Sequence, residues 1–165
     1  DIGAHQYAIS ALHHYDFAIC FNTGAYFSKE GFLEAMLAAR EKYGDGMYGA
    51  STSFENTPHI RTTCWAVDPK TFKDYGILVD NRAKTFEAES GYGSITNWYR
   101  FHGKPNIMVA PSGCYELMES RNIPNVFRRG DQSDTFVRDR HFDWYDRTHE
   151  AQRVTWAHSA DWRPS

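Results

Sequence analysis

The chain has 165 residues, a formal net charge of −3 and 16% aromatic residues. That length fits one domain burying roughly 70% of its unfolded surface, and the aromatic content excludes a disordered chain. The acidic balance removes the electrostatic case for a nucleic-acid partner, and no apolar run approaches the ~18–20 residues of a transmembrane segment. Cys20, Cys64 and Cys114 are odd in number and far apart, which fits neither a disulfide framework nor a zinc site. Their apolar or small-residue settings predict buried free thiols in a reducing compartment, hence a cytoplasmic protein. The first residue is Asp1, and no charged-then-apolar leader follows, so the sequence is either shortened or the later part of a longer chain.

In chain order, residues 5–15 carry Tyr7, Ile9 and Leu12 among small residues and predict a short helix. Residues 16–22 are mostly apolar and predict a strand buried on both faces. Ser28 stands as N-cap before a helical period of Phe32, Met36, Ala39 and Tyr43, with Gly44 and Gly46 as the stop. A strand over 47–54, a turn over 56–59 and a strand over 61–67 follow. One helical turn over 71–75, a helix over 94–102 and a buried strand over 106–110 complete a regular α/β alternation. The pattern weakens after residue 120. The prediction is a single domain with an α/β core over 1–119 and a loop-rich tail over 120–165, helical near 141–153.

Open α/β sheets bind ligands beyond the carboxyl ends of their strands, so polar residues there are the candidates for chemistry. Asp1, beside a Gly turn at a helix start, could hold a ribose or base edge or be an ordinary N-cap. Glu87 and Glu89 lie two apart ahead of the helix at 94. Two close carboxylates can part their pKa values so that one serves as general base, or both can be acids favoured at a helix N-terminus. His158, three residues before Asp161, could ligate a divalent metal or hydrogen-bond within the tail. His13 and His14 point in different directions on a helix and form no two-histidine face. Trp65, Trp98, Tyr92, Tyr99 and Phe101 could stack on sugars or bases or simply be core. The run 128–143 reads as an internally paired surface in which Arg128 and Arg129 could meet a pyrophosphate.

Asp1-Ile2-Gly3-Ala4, the segment Tyr15–Tyr26 with its Asn22-Thr23-Gly24 end, Tyr48-Gly49-Ala50-Ser51 and Pro58-His59-Ile60-Arg61-Thr62 occur in order over roughly residues 1–110. In that order and spacing they resemble glycosyltransferases of polysaccharide and O-antigen assembly related to rhamnan-synthesis proteins. The resemblance implies a GT-A-like (Rossmann-like) mixed sheet flanked by helices, entered after its N-terminal strands. Such a chain is expected to expose a sheet edge and an open core. It implies a nucleotide-sugar donor, a glycan acceptor, and Mn²⁺ or Mg²⁺, in a cytoplasmic protein that can lie peripheral to a membrane.

By position, the resemblance makes Asp1, Asn22, Thr23, His59 and Arg61 donor-binding residues. It makes Asn22 and His158 metal ligands, and Glu89, or Glu87, the catalytic base of an inverting transfer. Arg61, Arg128 or a metal would stabilise the departing nucleoside diphosphate. Thr23 stands where the family carries an Asp, which removes the strongest metal ligand. The competing expectation is a carbohydrate-binding or scaffold domain derived from such an enzyme, without catalysis.

Overall fold

A computed structural model describes residues 2–159, with side chains described through residue 156. Helix α1 (Ile2–Ala11) leads into β1 (Ala18–Phe21), the short β2 (Tyr26–Phe27) and α2 (Phe32–Tyr43). Next come β3 (Met47–Gly49), β4 (Thr52–Ser53), β5 (His59–Ile60) and β6 (Cys64–Val67). The chain continues through α3 (Pro69–Phe72), α4 (Arg82–Ser90), α5 (Ile95–Phe101), β7 (Asn106–Ala110) and β8 (Gly113–Glu116). It closes with β9 (Val137–Arg138), α6 (Arg140–Arg147) and α7 (Glu150–Ser159).

Five strands form a mixed sheet in the order β1-β6-β3-β7-β8, with β3 and β7 parallel and the other pairs antiparallel. Period-2 alternation divides the core between the two faces of this sheet. Met47, Trp65 and Val67 pack with Ile2, Ile9, Ile95 and Tyr99 from α1 and α5. Tyr48, Cys64, Ala66, Ile107 and Val109 pack with Phe32, Met36 and Ala39 of α2. Helices therefore flank a mixed sheet, and β6 and β7 read as unbroken apolar runs because both of their faces are covered. Gly49 is required where β3 passes the β5–β6 connection, since a Cβ there would overlap the Ile60 side chain.

Several expectations change. The first strand is not buried on both faces: β1 is a sheet edge paired only with β6, and Phe21 at its end is exposed. Strands β1 and β8 are the two edges that any open five-stranded sheet has, and in place of the expected open core Trp65 and Tyr48 are fully buried. Ser28 does not cap α2, whose N-cap is Gly31 in the left-handed region at φ 84°; the Ser28 hydroxyl instead donates to the Thr135 carbonyl. The predicted strand over 47–54 breaks into β3 and β4, and β4 pairs with β5 in a separate ribbon. The strand foreseen over 61–67 begins only at Cys64. Helix α4 was not foreseen, because it buries only Ala88 and Ser90 and so has almost no apolar stripe. The tail is more ordered than expected, with α6 and α7 as separate helices. Of the thiols only Cys64 is buried; Cys20 and Cys114 are partly exposed. Among the described residues no helix is long and apolar enough to cross a membrane.

His5 ties α1 to the sheet. The Trp65 indole N–H donates to His5 Nδ1 at 3.0 Å, and His5 Nε2 lies 3.0 Å from the Phe21 carbonyl oxygen. An indole nitrogen only donates and a carbonyl only accepts, so the ring is neutral with its proton on Nε2. Burial pushes its pKa down against the opposing pull of the Phe21 carbonyl. With the folded value below the unfolded one of about 6.5, the unfolded chain takes up the proton first on acidification. His5 therefore stabilises the fold fully above that pH, and its contribution drains away as pH falls toward the folded value. Thermal unfolding followed from about pH 7.5 to about pH 5 will show wild type losing Tm more steeply than His5→Gln. Parallel profiles would contradict the neutral tautomer.

Candidate functional site

A cavity of about 280 Å³ opens where the β4–β5 ribbon meets the end of α4 and the start of α6. His59 and Arg61, candidates from one sequence motif, line it with Glu89, a candidate from another stretch, and with Arg128, the expected phosphate contact. Glu55, Phe86, Phe127 and His141 complete the charged and aromatic wall. A larger cleft of about 520 Å³ lies between the start of α1 and the start of α4, but its charged lining is only Asp80 and Arg82. The smaller cavity is the one that gathers the candidate residues.

Glu89 sits in the last turn of α4, not at a helix N-terminus. The macrodipole disfavours an acid there by about 0.3–1 kcal/mol, so helix stability does not explain it. What holds it is the β5–β6 connection: Glu89 Oε1 accepts from the Thr62 hydroxyl at 2.8 Å and the Thr62 backbone N–H at 3.3 Å. Both of these bonds use Oε1, which leaves Oε2 for a ligand proton. The end of α4 is anchored as well, since Asn56 and Thr57 both donate to the Ser90 carbonyl. Glu87 is placed elsewhere: its carboxylate accepts from the Gly93 N–H at 2.7 Å and fills the space that a Gly91 side chain would need.

His59 is buried, and its Nδ1 lies 2.7 Å from the Thr57 carbonyl oxygen. Because the carbonyl can only accept, Nδ1 carries the proton. Burial drives the pKa down, over the opposing effects of that hydrogen bond and of Glu89. A neutral ring with a lone pair on Nε2 results. His141 is likewise pushed down, first by burial, then by Arg61 and other cations, with Asp139 opposing.

Arg61 is 7% exposed, and its guanidinium stacks 3.8 Å from the centre of the Phe127 ring. Its Nη2 donates to Asp139 Oδ2 at 3.2 Å. The same Oδ2 accepts from the Thr63 hydroxyl, while Oδ1 caps α6 by accepting from the His141 and Phe142 N–H groups. Burial alone would raise the Asp139 pKa; Arg61 and the two helix N–H groups outweigh it and hold the carboxyl below the ordinary range. Arg128 lies over the same Phe127 ring at 4.8 Å and pairs with Glu55 at 3.1 Å. Of the three non-glycine residues with positive φ among those described, Asn56 and Arg128 both line this cavity. Backbone strain of this kind concentrates at functional positions.

The remaining nominated residues are not brought here. Asn22 directly follows β1, and its backbone N–H donates to the Thr63 carbonyl; neither it nor Thr23 lines the cavity. Asp1 and Asp161 lie outside the described residues, as does the side chain of His158. Trp65 and Tyr99 are fully buried core, while the exposed Tyr92 and Phe101 stand apart from the cavity. Among the described residues no group of three or more His, Cys, Asp or Glu side chains could hold a metal ion. Asn22 alone is a poor match for Mn²⁺ or Mg²⁺, which favour carboxylate oxygens. Sequence reasoning missed Glu55, Phe86, Phe127, Asp139 and His141. Asp139 alone left a signal, an Asp directly before a helical stretch.

The Arg61–Asp139 pair is almost fully desolvated, with side chains 9% and 11% exposed. Removing one partner of a buried pair leaves the other charge uncompensated, at a cost of about 3–5 kcal/mol. Asp139→Asn should lose about that much in urea denaturation, whereas a surface-pair control such as Lys70→Gln should lose under about 1 kcal/mol. Equal small losses would show that the pair does not organise the site.

No protein-family model matches the chain, and neither a curated protein nor a solved structure matches it.

Proposed function

We propose that the domain transfers a sugar from a nucleotide-sugar donor to a hydroxyl of a glycan acceptor, with Glu89 as general base. The observation that supports this most is convergence: His59 and Arg61 of the Pro58–Thr62 stretch and Glu89, 28 residues further on, line one cavity with an aromatic wall. The GT-A-like form of the mixed sheet belongs to the same proposal. The acceptor hydroxyl gives its proton to Glu89 Oε2 as its oxygen bonds to the anomeric carbon. The bond from that carbon to the donor phosphate oxygen breaks, and its electron pair leaves with the nucleoside diphosphate. Attack opposite the leaving group inverts the anomeric centre. Neutral His59 offers Nε2 as an acceptor for a sugar hydroxyl, and Phe86 and Phe127 offer apolar faces to a sugar ring.

In this reading the Asn22–Gly24 strand end takes the donor diphosphate, tied to the cavity through Thr63. The described residues do not fit a Mn²⁺ or Mg²⁺ site, so no step is routed through a metal. A cytoplasmic location, at or away from a membrane surface, is part of the proposal too.

A second reading is a sugar-binding domain without turnover. It is favoured by the two hydrogen bonds that already engage Glu89 with Thr62. The two separate in a panel of UDP-, GDP-, dTDP- and CDP-sugars read by thermal shift and by transfer to glycan acceptors. A donor at 100 times its Kd should stabilise the chain by about 2.7 kcal/mol. Glu89→Gln should keep that shift and lose about 10²–10⁴-fold in transfer rate. A transfer rate unchanged in Glu89→Gln, or no shift with any donor, would overturn the proposal in favour of the binding domain.

A further inference from the structure

The hydrogen-bond balance of the cavity wall is lopsided. Arg61 Nη1 and Arg128 Nε are both buried without a hydrogen-bond partner, and both residues line the cavity. The fully buried Gln132, whose Oε1 accepts from the Arg128 backbone N–H, also has an unpartnered amide nitrogen. Gln132 does not itself line the cavity, so the two unmet groups on lining residues are both guanidinium donors, and the unpartnered oxygens on Asp45, Tyr99, Asn106 and Asn125 belong to residues outside the lining. Buried donors left unmet are costly and rare in folded proteins. The two in the cavity wall sit on guanidinium groups stacked against one ring, Phe127, at 3.8 and 4.8 Å. Asp139 and Glu55 each engage one of these arginines, through Nη2 of Arg61 and Nη1 of Arg128. Neither carboxylate satisfies the open donors.

A wall with surplus cationic donors is completed by an oxygen-rich anionic group. We infer that Arg61 and Arg128, backed by Phe127, form a subsite for an oxyanion carried by the acceptor, a carboxylate or phosphate substituent on its sugar. This rests on the transfer reading for the word acceptor: Arg61 directly precedes Thr62, the residue that holds Glu89. A sugar presenting a hydroxyl to Glu89 can therefore reach the arginines with an acidic substituent on the same or the next ring. Arg61 is the deep, fixed half of the subsite. Arg128, with a side chain 30% exposed, is the half at the mouth.

The test is direct binding, independent of turnover. Glucuronate, glucose 6-phosphate, glucose and UDP are titrated into the whole chain and followed by NMR at low salt. The acidic sugars should bind at least about tenfold more tightly than glucose, and added salt should shrink the difference. Arg128→Gln should remove the preference while its melting temperature shows that the fold is kept. Arg61→Lys, which keeps the charge but loses the planar fork, should weaken it. A response to glucuronate alone or to the phosphate ester alone identifies the substituent. Glucose binding as tightly as the acidic sugars overturns the inference, as does a preference that survives Arg128→Gln, or no binding of either acid. Displacement of glucuronate by UDP also overturns it, because the oxyanion would then be the donor's. Loss of transfer in Glu89→Gln is unaffected by any of these results, so the two proposals fail separately.

Discussion

The site depends on one buried ion pair. Asp139 receives Arg61 and Thr63 on one oxygen and the first N–H groups of α6 on the other. Residues 78 apart in sequence are thereby locked together, and with them the two walls of the cavity: the β5–β6 connection, and α6 with its His141. A buried pair contributes little net stability, because desolvation of both charges offsets their attraction. Its value lies in specificity of position. Arg61 cannot shift without stranding Asp139, and Asp139 cannot shift without uncapping α6.

Local rules are broken around this pair more than elsewhere. Glu89 is an acid in the last turn of a helix, Asn56 and Arg128 take left-handed backbone, and two guanidinium groups keep unmet donors. Each runs against what stability alone would select. Their concentration around one cavity of about 280 Å³, and not around the larger cleft beside α1, is the physical reason for placing the candidate site there. The supporting frame is ordinary by contrast. Alternation in β3, β6 and β7 distributes side chains to the two core clusters, and His5 clips α1 to the sheet through a neutral ring.

What could be read from the sequence follows from which signals are local. Strand β7 appears at its predicted bounds because its five residues are all buried and four of them, Ile107 to Ala110, form an unbroken apolar run. Helix α5 appears with Ser94 as the capping residue, its side chain accepting from the Asn97 N–H. Helix α4 escaped because its surroundings are mostly solvent, and β1 was assigned two buried faces because a sheet edge looks apolar in sequence too. The candidate site was half legible. His59, Arg61 and Glu89 stood out by residue type and by the motif that carries the resemblance, whereas Phe127 and Asp139 act only through partners far along the chain. No local pattern announces a ring shared by two arginines or a carboxylate that bridges a loop and a helix.

The central claim about the molecule is that ligand sits in the cavity at Glu89 and not in the larger cleft. The most direct measurement is backbone amide chemical-shift mapping of the full chain with the nucleotide-sugar that raises its melting temperature most. The largest shifts are expected at Thr62, Glu89, Phe127 and His141, together with Asn22 and Thr23. Shifts gathered instead at Asp80 to Thr85, with Thr62 and Glu89 silent, would contradict it and move the site to the cleft between α1 and α4.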